Sequence, residues 1–257
     1  MKLYHYTTLD AFAKIWVSKQ LRFSKSAITN DFFEKRKGYD LPIRTLDLGP
    51  FLEKAKIFDE IYSRIIDSYV QLSFTKSYSK NGFNKDGYMS PMMWGHYAHN
   101  ENGVCIEIDK EKIPKIPSMV KMRSVIYTEH VPLLTTDLLN LTITEDAIEQ
   151  LISSHLKELF FVKHKHWKFE NEYRMIIKSN QETFLPLGNA ISAVYVYNVQ
   201  DINTAIVEQL VQQQVPIYAL TTNTYRGYRQ IDCYEIAQYY KAMKKERPKL
   251  PKLKIQI

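Results

Sequence analysis

The sequence predicts an α+β fold, and two observations carry that expectation. Short apolar segments that alternate as half-buried strands recur from Leu3-Tyr4-His5-Tyr6-Thr7 to a last one at Ile231 to Ile236. Between them lie a few longer stripes with apolar residues three and four apart, the spacing of one helix face. Strands and helices so mixed, with long insertions between short strands, fit a single α/β or α+β domain, and we take α+β. The domain is expected over residues 1–240, with a basic Pro- and Lys-rich tail at 241–257. A chain of 257 residues can bury a sizeable core, although length alone also allows two small domains.

The elements follow in order. Leu3 to Thr7 is a first strand, after which Thr7 or Thr8 caps a helix over Asp10 to Lys19, with Asp10 in its first turn and Phe12 and Trp16 four apart. Leu21-Arg22-Phe23-Ser24 is a short strand, and Asn30-Asp31-Phe32-Phe33-Glu34 is loop-like. Phe51, Ala55, Phe58, Tyr62, Ile65 and Tyr69 form the stripe of a long helix opened by Pro50. Val70 to Thr75 is a strand, Ser77 to Gly87 a loop, Met92 to Tyr97 a crowd of bulky groups, and Gly103 to Asp109 an alternating strand ended by Pro114 and Pro117. Val120 to Tyr127 is extended, and Thr142 or Thr144 caps a helix whose Ile148, Leu151, Ile152, Leu156 and Leu159 share a face. Ala193 to Tyr197 is a strand, Asp201 to Gln214 a capped helix, and Val215 to Leu220 another strand.

Composition narrows the setting. Nothing approaches the roughly 18 uninterrupted apolar residues of a membrane helix, and Met1-Lys2-Leu3-Tyr4-His5 lacks the apolar core of a signal peptide, so the expected location is cytoplasmic, with no membrane partner. Cys105 and Cys233 each lie in a strand-like apolar segment, which reads as two buried free thiols rather than a disulfide. The net charge of +7 is concentrated in the tail, where seven Lys or Arg face one acid, leaving 28 basic and 27 acidic residues before it. That tail is either a solvated arm or an electrostatic tether for phosphate backbones.

The stretch with chemical content is His164-Lys165-His166-Trp167-Lys168-Phe169-Glu170-Asn171-Glu172-Tyr173-Arg174. If Phe169 to Ile177 is one strand, Glu170, Glu172 and Arg174 share a face, and such a row serves a reaction or a ligand unless it is an exposed ion-pair ladder. His164-x-His166 with the two glutamates offers metal ligands, but Lys163, Lys165 and Lys168 would repel a cation, so no metal is expected. There is no Gly-x-Ser-x-Gly elbow, Walker loop or Gly-x-Gly-x-x-Gly, which removes the common serine-hydrolase and glycine-loop phosphate sites.

Tyr4-His5-Tyr6-Thr7, Phe23-Ser24 with Asn30-Asp31 and Glu34, Ser73-Phe74-Thr75, Met93-Trp94-Gly95-His96-Tyr97 with Gly103-Val104-Cys105-Ile106, and Trp167-x-x-Glu170-x-Glu172-x-Arg174 together resemble the bacterial domain of unknown function 2971, from Leu3 to about Ile236. That family resembles the ADP-ribosyltransferase superfold, which implies a split β-sandwich of short strands with helical insertions and NAD, as substrate, in the cleft. The resemblance implies that His5 holds the ribose and nicotinamide side of NAD, with Tyr6 and Thr7 beside it, and that Ser73 and Thr75 stand on the hydroxyl-bearing strand. Glu172 is then the catalytic carboxylate that stabilises the oxocarbenium-like cation formed as nicotinamide leaves, and Glu170 orients or deprotonates the acceptor, with the reverse order open. Arg174 pairs with the glutamates or with the NAD pyrophosphate, and Tyr6, Tyr97 or Trp94 either stacks on nicotinamide or belongs to the core. The implied function is an ADP-ribosyltransferase or NAD glycohydrolase of toxin or phage-defence (antiviral) type, acting on a protein or nucleic acid. The alternatives are a non-catalytic protein- or nucleic-acid-binding module using the same cleft and tail, and a metal-dependent nuclease.

Overall fold

The computed structural model describes residues 1–25, 60, 63–64, 66–80, 83–114, 116–129, 144–225 and 228–236. The expected loop at Asn30 to Glu34, the stripe from Phe51 to Ile65, the Thr142 cap and the basic tail lie outside them, and Tyr69 opens a strand. In chain order the elements are β1 (Lys2–Thr8), α1 (Leu9–Ser18), β2 (Gln20–Arg22), β3 (Ser24–Lys25), β4 (Tyr69–Lys76), β5 (Tyr78–Lys80), β6 (Phe83–Lys85), α2 (Pro91–Tyr97), β7 (Gly103–Asp109), β8 (Lys121–Ser124) and β9 (Ile126–Thr128). They continue as α3 (Glu145–Phe160), β10 (Val162–His164), a 3-10 turn at Lys165–Glu170, β11 (Glu172–Lys178), β12 (Phe184–Pro186), β13 (Ile191–Val196), α4 (Thr204–Gln212), β14 (Ile217–Tyr225) and β15 (Tyr228–Glu235).

A large mixed sheet organises them in the order β15-β14-β13-β7-β1-β4-β11-β8, with β3 also on β4. The β13–β14 pair is parallel and the other pairs are antiparallel. Strand β1 runs beside β7 from Lys2 to Thr8 but meets β4 at two positions, Leu3 with Lys76 and Tyr4 with Thr75. Further along the same edge of β4, β3 takes Gln71 and Val70. Leu72, Ser73 and Phe74 therefore border a fork. Where the resemblance implies two small sheets, the structure joins nine strands in one, because those two residue pairs still tie β1 to β4.

Alternation places the cores. Leu3, Val70, Leu72, Phe74, Val104, Ile106, Ile108, Tyr173 and Met175 point to one side, where Phe12, Ile15 and Trp16 of α1 cover them. On the other side Tyr4, Tyr6, Tyr88, Trp94, Cys105 and Tyr195 form an aromatic core, and Ile176 with Tyr69 meets the apolar face of α3. The Thr8 hydroxyl accepts the Ala11 N–H at 3.2 Å, which starts α1 as soon as β1 ends, and the Thr144 hydroxyl caps α3 in the same way at 3.2 Å. Among the described residues no helix is long and apolar enough to cross a membrane.

Two expectations change, and one segment left without an element gains one. Phe169 to Ile177 is not one strand: Glu170 ends the 3-10 turn, Asn171 takes a left-handed φ of 43°, and β11 begins at Glu172. Asn tolerates that conformation, and its side-chain amide donates to the Lys76 and Ser77 carbonyls at 2.9 and 3.1 Å. The expected loop from Ser77 to Gly87 contains the β5–β6 hairpin, and the crowded Met92 to Tyr97 segment is a helix with Pro91 in its first turn.

Candidate functional site

The fork opens into a cavity of about 820 Å³. His5, Tyr6, Thr7, Ser73, Thr75, Tyr97, Glu170 and Glu172 all line it, so residues far apart in sequence converge on one space. Cross-strand register explains part of this: Glu172 stands opposite Thr75, and Arg174 opposite Ser73, on a single face of β4 and β11. Arg174 does not line the cavity.

The charge row is no surface ladder, for Glu170, Glu172 and Arg174 are 3%, 3% and 2% exposed. Arg174 donates from Nε and Nη2 to the two carboxylate oxygens of Glu172 at 2.7 and 2.9 Å, and from Nη1 to the Phe160 carbonyl at 2.7 Å. This fork-to-fork pair leaves the pyrophosphate role implied for Arg174 without support, since the guanidinium stands behind Glu172. Lys163, absent from the sequence-derived set, donates to Glu170 at 2.8 Å and lies 3.0 Å from Glu172. The Tyr97 hydroxyl donates to the other oxygen of Glu170 at 2.5 Å. Behind Glu172, its backbone N–H donates to the Tyr127 hydroxyl at 2.9 Å.

The two carboxyls therefore ionise differently. Burial alone would raise Glu172, but the charges of Arg174 and Lys163, with hydrogen bonds from Arg174 and Ser73, hold it well below the usual carboxylate range. Burial raises Glu170, with the Glu172 charge adding to it, against the pull of Lys163 and Tyr97. Glu172 is held as an anion, and Glu170 binds a proton more readily than a free carboxyl does.

His5 Nδ1 lies 3.3 Å from the Ser73 carbonyl in the fork, and its ring stands edge-on to Phe74. Burial pushes its pKa down, so the imidazole is neutral near pH 7. Thr75 is 3% exposed, and its hydroxyl is the buried side-chain polar atom, among the described residues, that has no hydrogen-bond partner. Tyr6 lines the cavity, but its hydroxyl donates to the Gly87 carbonyl at 2.5 Å and its ring meets Trp94 edge-on at 5.3 Å. Trp94 is 3% exposed and donates to the Tyr88 carbonyl at 2.8 Å, which makes it a core residue. Tyr97 keeps its place at the cavity wall. His164 and His166 meet ring to ring at 4.3 Å, and among the described residues no group of three or more His, Cys, Asp and Glu could hold a metal ion.

A family model described as Protein of unknown function (DUF2971) matches residues 93–175, the segment that supplies Tyr97, Lys163, Glu170, Glu172 and Arg174. Among solved structures the chain is similar to Thermus sp. 2.9 DarT in complex with NAD+, at 10% identity and a TM-score of 0.30, over 83% of this chain and 87% of that one. It is also similar to Thermus sp. 2.9 DarT in complex with ADP-ribosylated ssDNA, at 10% identity and a TM-score of 0.27, with the same coverage. No curated protein matches the chain.

Proposed function

We propose that the fork cavity binds NAD and that the chain is an ADP-ribosyltransferase, with Glu172 and Glu170 as its catalytic pair. What supports this reading is the convergence, in one cavity, of two buried carboxyls with different partners: Glu172 in a two-bond pair with Arg174, and Glu170 held by Lys163 and the Tyr97 hydroxyl. A volume of about 820 Å³ suits an extended ligand, and the unpartnered Thr75 hydroxyl and neutral His5 give it polar anchors.

Each residue then has a task. Glu172, fixed by Arg174, places negative charge where the ribose becomes cationic as its bond to nicotinamide breaks and the bonding electrons leave with the base. Glu170, oriented by Tyr97, receives the proton of the acceptor hydroxyl, amine or ring nitrogen as that atom bonds to the ribose carbon. His5, Thr7, Ser73 and Thr75 hold the ribose and nicotinamide side. Water in the acceptor position makes the same residues an NAD glycohydrolase.

The acceptor class is a protein or a nucleic acid, and a toxin or antiviral-defence role in the cytoplasm extends the reading. NAD labelled in its adenylate, incubated with full-length protein and cell lysate, tests it. Label should pass to material destroyed by protease or by nuclease, and Glu172→Gln should abolish the transfer. Binding of NAD without nicotinamide release would favour the non-catalytic module. Label neither bound nor transferred by folded protein would overturn the assignment.

A further inference from the structure

Lys163 occupies the middle of β10, which pairs with β9 outside the main sheet and sets Lys163 beside Tyr127. Its ammonium is brought from that ribbon to the carboxylates, 2.8 Å from Glu170 Oε2 and 3.0 Å from Glu172 Oε2, and the residue is 6% exposed at the cavity wall. We propose that Lys163 is a positioning residue that clamps the two carboxylates together and fixes their division of labour, with Glu172 as permanent anion and Glu170 as proton carrier. This assignment rests on the transferase reading only for what the carboxylates act upon.

Charge counting shows what the clamp does. With both glutamates ionised, Glu170, Glu172, Lys163 and Arg174 sum to zero. Around them stand the Tyr97 hydroxyl from α2 on Glu170, Ser73 from β4 and Arg174 from β11 on Glu172, Tyr127 from β9 at the Glu172 N–H, and the Trp167 ring 5.5 Å from the ammonium. Arg174 secures Glu172 through two bonds, whereas Lys163 is shared by both carboxylates. Removing the ammonium leaves a buried cluster with a net negative charge, and burial makes that state costly. Neutrality returns if one carboxyl takes a proton. Glu172, still paired with Arg174, keeps its charge, so Glu170 takes the proton and can no longer accept one from a substrate. The opposite directions in which the surroundings move the two carboxyls agree with this division.

The test is carbon-13 NMR of the glutamate δ-carbons in the full chain, assigned with Glu170→Gln and Glu172→Gln. In Lys163→Met the Glu170 midpoint should rise by at least about one unit, a tenfold gain in proton affinity, while Glu172 stays ionised. Lys163→Arg, which keeps the charge, should hold the midpoint within about half a unit. A Glu170 midpoint unmoved in Lys163→Met overturns the clamp. Should Lys163→Met fail to fold, the charge-balanced double variant Lys163→Met with Glu170→Gln decides. Recovery of its unfolding midpoint upholds the clamp, and a double variant no more stable than the single one overturns it. None of these readouts needs NAD. A shifted midpoint without nicotinamide release keeps the clamp and removes the transferase, and release with an unmoved midpoint does the reverse.

Discussion

Replacing Arg174 by Met keeps the unbranched apolar stem and removes a guanidinium that makes two bonds to Glu172 and one to the Phe160 carbonyl. Glu172 stays buried, and Lys163 remains 3.0 Å away, so its charge is left partly compensated. Breaking one side of a buried pair costs roughly 3–5 kcal/mol, and the residual Lys163 contact places this variant near the middle, at about 4 kcal/mol. Arg174→Lys keeps a charge but not the fork, so it should cost about half as much. Urea unfolding at pH 7 measures both, with an unchanged slope showing that the same surface is exposed. The sign of the pH dependence is fixed as well. Glu172 has a depressed folded pKa, so its stabilisation is present above the unfolded carboxyl value of about 4.3 and is lost as pH falls through the folded value. The gap between wild type and Arg174→Met should narrow below that pH. A cost under about 1 kcal/mol, the size of an exposed pair, would refute the buried-pair account.

Thr75→Val, an isosteric change at a hydroxyl with no partner, should leave stability within about 1 kcal/mol of wild type or raise it, while calorimetry shows NAD affinity falling about tenfold. Gly87→Ala puts a methyl 2.2 Å from the Tyr4 ring and should cost about 1–3 kcal/mol in the same urea assay. Glu170 has a raised folded pKa, so its stabilisation is full below the unfolded carboxyl value and disappears as pH rises through the folded value. Glu170→Gln should therefore gain on wild type with rising pH in thermal melts from pH 4 to 8, and parallel curves would contradict the raised pKa.

Local signals were the legible ones. The Thr8 and Thr144 caps and the alternation of β4 and β7 act within a few residues, and the structure places each where the pattern puts it or within a residue or two, whereas only Glu172 and Arg174 of the Glu-x-Glu-x-Arg row share the predicted strand. The fork was hidden because it depends on β1 sharing two positions with a strand that starts more than sixty residues later. Asn171 hid the break before β11, since a left-handed Asn leaves no periodicity signal. His5, Ser73, Thr75, Tyr97 and both glutamates, which the resemblance groups together, all line the cavity. Lys163 entered the sequence reading only as a charge hostile to a metal. Its burial between two carboxylates needs the β9–β10 ribbon, which pairs residues far apart in the chain.

Nicotinamide release tests whether the fork cavity cleaves NAD by means of its two carboxyls. Purified full-length protein with NAD should release nicotinamide, and Glu172→Gln and Glu170→Gln, each confirmed folded by urea unfolding, should each lower the rate by about a hundredfold or more. Release that persists at the wild-type rate in both variants, or no release by folded wild type at saturating NAD with acceptor-bearing lysate present, would contradict the account.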